Sequence, residues 1–282
     1  MIHVIKKRKS VRTFSKQPFN EELITSINTI ITEYSKSVGP FGNLCRFTLI
    51  PALVEGFKPG TYGFIKDPEA YIAGICKNDN EALVDFGYTF EKIILELTAL
   101  NLGTCWLGGT FKRESFKSNL HITGSELIPA VTPIGFPAEH RRVFEKGMRK
   151  IAQSDRRKPW EVLFFDGGLL TPLSKQSAGE LSIVFEMVRI GPSASNKQPW
   201  VLVLSEDRTL IHFFLNFMPG YTGNKMGFEM QRLDIGIAMA HLEIACDAIG
   251  ISGTFKAISH RIRVHDENLK YITTYHLQDP ID

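Results

Sequence analysis

The chain has 282 residues, of which 43% are hydrophobic and 22% charged, with a formal net charge of +3. That size allows one large domain or two ordinary ones around a sizeable core, and the near-neutral balance gives no general reason to expect nucleic acid. No apolar run approaches the roughly 20 residues of a membrane span, and the basic stretch 1–10 lacks the apolar core of a secretory signal.

Taken in order, residues 20–35 predict an amphipathic helix, with Leu23, Ile24, Ile27, Ile30 and Ile31 at helical spacing and Asn20, Glu21 and Glu22 suiting its start. Residues 47–53 predict a strand, 56–63 a glycine-containing loop, and 71–76 a second strand ended by a turn at 77–80. Residues 85–102 predict a helix buried on most sides, because apolar residues ring it at Phe86, Phe90, Ile93, Ile94, Leu95 and Leu97. Residues 128–136 predict a strand. The second half predicts a helix at 179–189, strands at 200–204 and 210–215, a long apolar helix at 234–249 and a strand at 271–277.

The order helix, strand, strand, buried helix, strand therefore occurs twice, which points to an internal repeat. Asp85 and Gly87 open the first buried helix as Asp234 and Gly236 open the second. Each helix is followed by a Thr-Phe-Lys exit, Thr110-Phe111-Lys112 and Thr254-Phe255-Lys256. The join is expected at Asp166-Gly167-Gly168, giving halves 1–168 and 169–282.

Cys45, Cys76, Cys105 and Cys246 form no CxxC pair, so neither a zinc ribbon nor a redox dithiol is indicated. They read as reduced thiols of a cytoplasmic protein. The histidines show no metal spacing, no metal is expected, and His260 and His265 read as surface or strand-end residues.

Three stretches carry chemistry. Arg8, Ser10 and Arg12 recur at alternate positions, which in extended backbone share one side. Arginine suits phosphate through its planar fork of donors, although a basic stretch alone is more often a solvated arm. The segment 191–200, Gly-Pro-Ser-Ala-Ser-Asn-Lys-Gln-Pro-Trp, offers small hydroxyls and amides able to read a polar ring edge or polyol, or makes an ordinary polar turn. The segment 102–111 places Gly108-Gly109 after the buried helix, permitting close backbone approach to a flat ligand or serving only as a cap and turn.

Together, Arg-x-Ser-x-Arg-x-Phe at 8–14, Pro-Ser-x-x-Asn-x-Gln-Pro-Trp at 192–200 and Gly-x-Cys-Trp-x-Gly-Gly at 103–109 resemble the FMN-dependent nitroreductase superfamily. The resemblance runs through nearly the whole chain. The arginine motif appears only in the first half, where segment 38–46 keeps Asn43 but lacks the serine and Gln-Pro-Trp of its counterpart. The second half keeps the Pro-Ser-x-x-Asn loop and has Thr171-Pro172-Leu173-Ser174-Lys175-Gln176 in place of the arginines. Each half keeps what the other lacks, as in the fused, single-chain branch of these proteins.

The resemblance implies an α+β nitroreductase-like fold: two tandem halves around antiparallel or mixed sheets with central buried helices, forming a pseudo-dimer that holds one FMN between them. It implies Arg8 on the phosphate, Ser10 on the ribityl chain and Arg12 at the pyrimidine edge. Lys66, Leu107, Gly108, Gly109, Arg156, Arg157, Pro192, Ser193, Ser195, Asn196 and Gln198 complete the cofactor-binding set, with a backbone N–H of 107–109 reaching flavin N5. The implied activity is NAD(P)H-dependent reduction of nitroaromatics, quinones or similar small acceptors by ping-pong hydride transfer. Flavin carries the chemistry, so no catalytic side chain is assigned. The alternative is a redox sensor or flavin carrier with little turnover. The fused chain would be a monomer acting as a pseudo-dimer, or a further homo-oligomer.

Overall fold

The computed structural model of the chain describes residues 1–139, 156–218 and 226–278. The chain divides into two compact units, Lys7–Ser154, and Met1–Lys6 together with Asp155–Asp282. Each has a sheet and a long buried helix.

The short N-terminal helix α1 (Ile2–Lys7) lies, up to Lys6, in the second unit, and the first unit opens with α2 (Glu21–Lys36). Asn20 caps α2 by accepting the Leu23 N–H, and Ile27 and Ile31 are its buried face. Strands β1 (Arg46–Pro51) and β2 (Ala70–Lys77) pair antiparallel, from Arg46↔Ile75 to Pro51↔Ala70. The central helix α3 (Asn80–Ala99) begins earlier than its apolar pattern does. Asp79, within the expected turn, accepts the N–H groups of Glu81 and Ala82 and is the N-cap. Phe47, Phe86 and Phe90 stack between α3 and the sheet, with ring centroids 5.3–5.5 Å apart. Beyond α3 come β3 (Gly103–Thr104), α4 (Arg113–Lys117), β4 (Glu126–Leu127) and β5 (Val131–Gly135). The sheet order is β1-β2-β5-β3, with β4 on the end of β2.

The second unit contains β6 (Phe164–Asp166), α5 (Lys175–Ala178), α6 (Leu181–Arg189), β7 (Trp200–Leu204), β8 (Leu210–Asn216), α7 (Gln231–Ala248), β9 (Gly253–Lys256) and β10 (Leu269–Leu277). Its sheet order is β6-β7-β8-β10-β9, with β6 parallel to β7 and the other pairs antiparallel. The path β7-β8-β10-β9 has the same order as β1-β2-β5-β3, each around one buried helix. This is the α+β architecture of two tandem halves.

Several expectations change. A boundary at 168 would sever β6 from the sheet it belongs to; the division falls at Ser154/Asp155. Residues 1–10 are not wholly a polar arm, since Val4 and Ile5 are each 2% exposed. Thr110-Phe111-Lys112 lies outside any strand, so the counterpart of Gly253-Thr254 in β9 is Gly103-Thr104 in β3. His260 is half-buried, its ring 4.4 Å from that of Tyr271 and 5.8 Å from that of His212, while His265 is exposed. All four cysteines are free and buried.

Candidate functional site

The residues expected to bind cofactor collect into two groups, one in each unit. In the first, the Arg8–Arg12 stretch is an extended arm on the β3 edge. The Val11 N–H donates to the Thr104 carbonyl at 2.8 Å, and the Lys66 N–H donates to the Arg12 carbonyl at 2.9 Å. Val11 is buried, and alternation places Ser10 and Arg12 on the opposite side. Val11 also explains Gly103: a Cβ there would lie 2.9 Å from the valine side chain. Lys66 joins the group by its backbone, while its side chain is exposed.

The two guanidiniums retain uncommitted donors. Arg8 has a side-chain exposure of 7%, and its Nε lies 3.8 Å from Oε1 of the fully buried Glu91. Its terminal nitrogens have no hydrogen-bond partner among the described residues. Arg12 Nη1 is buried with no partner among the described residues. Buried donors are satisfied in the great majority of native structures, so a pair like this asks for an acceptor-rich anion. The donor set fits FMN, whose phosphate and ring carbonyls are acceptors.

The segment after β3 is rigid. Leu107 exchanges both backbone hydrogen bonds with Val131, at 2.9 and 3.0 Å. The Leu107 N–H is therefore already committed. Arg113 fixes the same segment, donating to the carbonyls of Gly108, Ile128 and Pro129. Burial lowers the Arg113 pKa.

In the second unit, loop 191–199 is braced from several sides. Arg157 donates to Asn196 Oδ1 at 2.6 Å and to the Ile190 carbonyl at 3.0 Å. Asn196 Nδ2 donates to the Arg156 carbonyl, and the Lys158 N–H donates to Gln198 Oε1 at 2.9 Å. Gln198 Nε2 returns bonds to Asn196, and the Gln198 N–H donates to Ser193 Oγ. Ser195, Asn196 and Gln198 all hold left-handed backbone, at φ 48°, 57° and 46°. Non-glycine residues adopt that region only where surrounding contacts enforce it. Arg156, Arg157, Ser193, Asn196 and Gln198 thus form one network, flanked by half-buried Pro192 and exposed Ser195. Arg157 and the buried Gln198 brace the loop. Burial first, and then the charge of Lys197, lowers the Lys158 pKa.

Glu91, Arg113 and the roles of Asp85 and Asp234 are not apparent from motif reading. A glutamate inside an apolar helix face was the available signal for Glu91.

The sequence matches, over residues 1–246, the family described as "Putative TM nitroreductase". The chain belongs to this nitroreductase family, and its class is that of the oxidoreductases. Its fold is similar to that of a "putative nitroreductase" from Thermotoga maritima, with 18% identity, 98% of this chain and 92% of that chain covered, and a TM-score of 0.58. Lesser similarity extends to an FMN-dependent nitroreductase from Clostridium difficile (16% identity, 50% and 90% covered, TM-score 0.36). A "putative nitroreductase in complex with FMN" from Desulfovibrio desulfuricans compares at 17% identity, 51% and 93% covered, TM-score 0.41. Among curated proteins, none matches.

Proposed function

We propose that this chain is an FMN-dependent NAD(P)H oxidoreductase that reduces small electron acceptors such as nitroaromatics or quinones. The observation that carries the reading is the pair of guanidiniums on the β3-edge arm: among the described residues the Arg8 terminal nitrogens are uncommitted and the buried Arg12 Nη1 has no partner. Arg8 would hold the phosphate, Ser10 the ribityl hydroxyls and Arg12 the pyrimidine edge. A cation at that edge favours added negative charge on the ring. Gly108 and Gly109 admit a flat ligand close to backbone, and Arg113 keeps that backbone in place. In the second unit, the network around Asn196 presents the Ser193–Ser195 hydroxyls from a stiff loop, at little ordering cost on binding.

Bound FMN supplies hydride and electron transfer from NAD(P)H to the acceptor in two half-reactions, with no side-chain acid or base required. The arm and the Pro-Ser loop each occur once, so one FMN per chain is expected. A cytoplasmic location is part of the proposal and rests on the four free, buried cysteines. Among the described residues no helix is long and apolar enough to cross a membrane.

The test is the visible spectrum of the purified protein, with FMN quantified after release and anaerobic addition of NADH or NADPH. The expected result is stoichiometric FMN that bleaches. A colourless protein that cannot be reconstituted with FMN overturns the proposal. Flavin that binds but never bleaches would make the chain a flavin-holding protein instead.

A further inference from the structure

We infer that Glu91 is the positioning residue for Arg8, the guanidinium assigned above to the FMN phosphate; the inference rests on that assignment. Glu91 lies in the middle of α3 and is fully buried, between buried Phe90 and half-buried Lys92 in the chain. An ionised side chain in such a place is retained only when it is paired or hydrogen-bonded. Its Oε2 accepts the Trp106 Nε1–H at 2.6 Å, and its Oε1 faces Arg8 Nε at 3.8 Å. The indole needs only an acceptor, which a neutral amide would provide. Arg8 is a partner to which the negative charge matters.

The approach direction matters. Glu91 addresses Arg8 through Nε, the nitrogen next to the stem, and leaves the terminal Nη pair uncommitted among the described residues. That terminal pair is an edge suited to bidentate phosphate recognition. A free arginine loses considerable rotamer entropy when it is ordered by a ligand. Glu91 orders it beforehand. Trp106 itself packs edge-on against Phe90, with ring centroids 4.9 Å apart, a contact that a phenylalanine at 106 can keep.

The second unit provides an internal control. At the same distance along α7 after Asp234 as Glu91 lies after Asp85 stands Ala240, in the half that has no arginine arm. The carboxylate occurs where the arginine occurs and is missing where it is missing.

The experiment is a double-mutant cycle on FMN affinity, read by quenching of FMN fluorescence on titration with apoprotein, so that turnover plays no part. Glu91→Gln keeps an acceptor for Trp106 and removes the charge. It is expected to weaken FMN binding about tenfold, Arg8→Ala at least as much, and the double variant no more than Arg8→Ala alone. Trp106→Phe should leave affinity within about twofold, since it removes only the indole bond. If Glu91→Gln does not fold, Glu91→Asp, which draws the carboxylate back from Arg8, is read in the same cycle. Wild-type affinity in the Glu91 variant, or losses that multiply with Arg8→Ala, would overturn the inference. So would a loss in Trp106→Phe equal to that in Glu91→Gln. A wild-type protein that takes no FMN would be a failure of the proposed function, seen before any variant is made.

Discussion

Asp234 Oδ1 accepts the Ala194 N–H at 2.9 Å, while its buried Oδ2 has no partner among the described residues. Asp85, at the same place on the first central helix, accepts three bonds, from the N–H groups of Phe41 and Asn43 and from Asn43 Nδ2, at 2.9–3.0 Å. Each aspartate anchors a loop that begins Gly-Pro, at Gly39-Pro40 and Gly191-Pro192. The shared Asp-x-Gly start is thus a loop anchor, well satisfied in one unit and poorly in the other. Burial raises the pKa of both, and at Asp234, with a single opposing bond, it reaches about 8.

The first prediction concerns stability above neutrality. The folded pKa of Asp234 lies above the unfolded value of about 3.9, so the native state holds a proton that the unfolded chain has lost. Stability from this group therefore falls as pH rises toward about 8 and then levels off. The slope is at most about 1.4 kcal/mol per pH unit. Urea unfolding at a series of pH values should show it, and Asp234→Asn should flatten it. An unchanged slope in the variant would assign the effect to another group.

Gly39 sits against the other anchor. A Cβ at this position would lie 2.4 Å from the Asp85 carboxyl carbon and oxygen, inside any tolerable contact. Gly39→Ala must push the loop off the carboxylate and disturb the three bonds that satisfy it. A loss of about 1–3 kcal/mol is expected from overpacking alone, measured by denaturant unfolding. A variant as stable as wild type would mean that the loop yields freely there.

What the sequence conveyed follows from which signals are local. The helices at 21–36 and 181–189 and the strands at 71–76 and 200–204 show because period 3.6 or a run of apolar residues marks them. The two-residue β3 begins at Gly103 and β9 at Gly253, and neither has a side-chain pattern long enough to read. β6 was invisible for a different reason: Phe164–Asp166 is a strand only because β7 accepts it. The arm was legible because alternation alone sets Ser10 and Arg12 on one side. The bracing by Arg157 and Gln198 has no sequence signal, since it depends on contacts some 40 residues away in the chain.

The Asn196 network yields a third prediction. Asn196→Ala loses the bonds from Arg157 and Gln198 and the bond to the Arg156 carbonyl. It also leaves alanine in left-handed backbone at φ 57°, which costs roughly 1–2 kcal/mol more than it does for glycine. Asn196→Gly loses the bonds and avoids that strain. Both should be destabilised, with glycine the milder by about 1 kcal/mol in denaturant unfolding. Equal losses would show that the hydrogen bonds alone hold the loop.

The last prediction sets two groups of the second unit against each other. His212 Nδ1 lies 2.8 Å from Thr274 Oγ1, which in turn lies 2.7 Å from the Tyr271 hydroxyl. Burial first, then the neighbouring His260 and His276, lowers the His212 pKa to about 4. The unfolded value is about 6.5, so acidification protonates the unfolded chain first, and stability is lost as pH falls from about 6.5 to about 4. Asp234 has the opposite slope over that same window. The two should largely cancel below about 6.5 and leave the Asp234 decline visible only between there and about 8. Asp234→Asn should then expose a rise in stability up to about 6.5 and a plateau above it, while His212→Gln should expose a decline beginning near pH 4. Unfolding curves for the two variants across this range, superimposable on wild type, would remove both groups from the pH dependence of the fold.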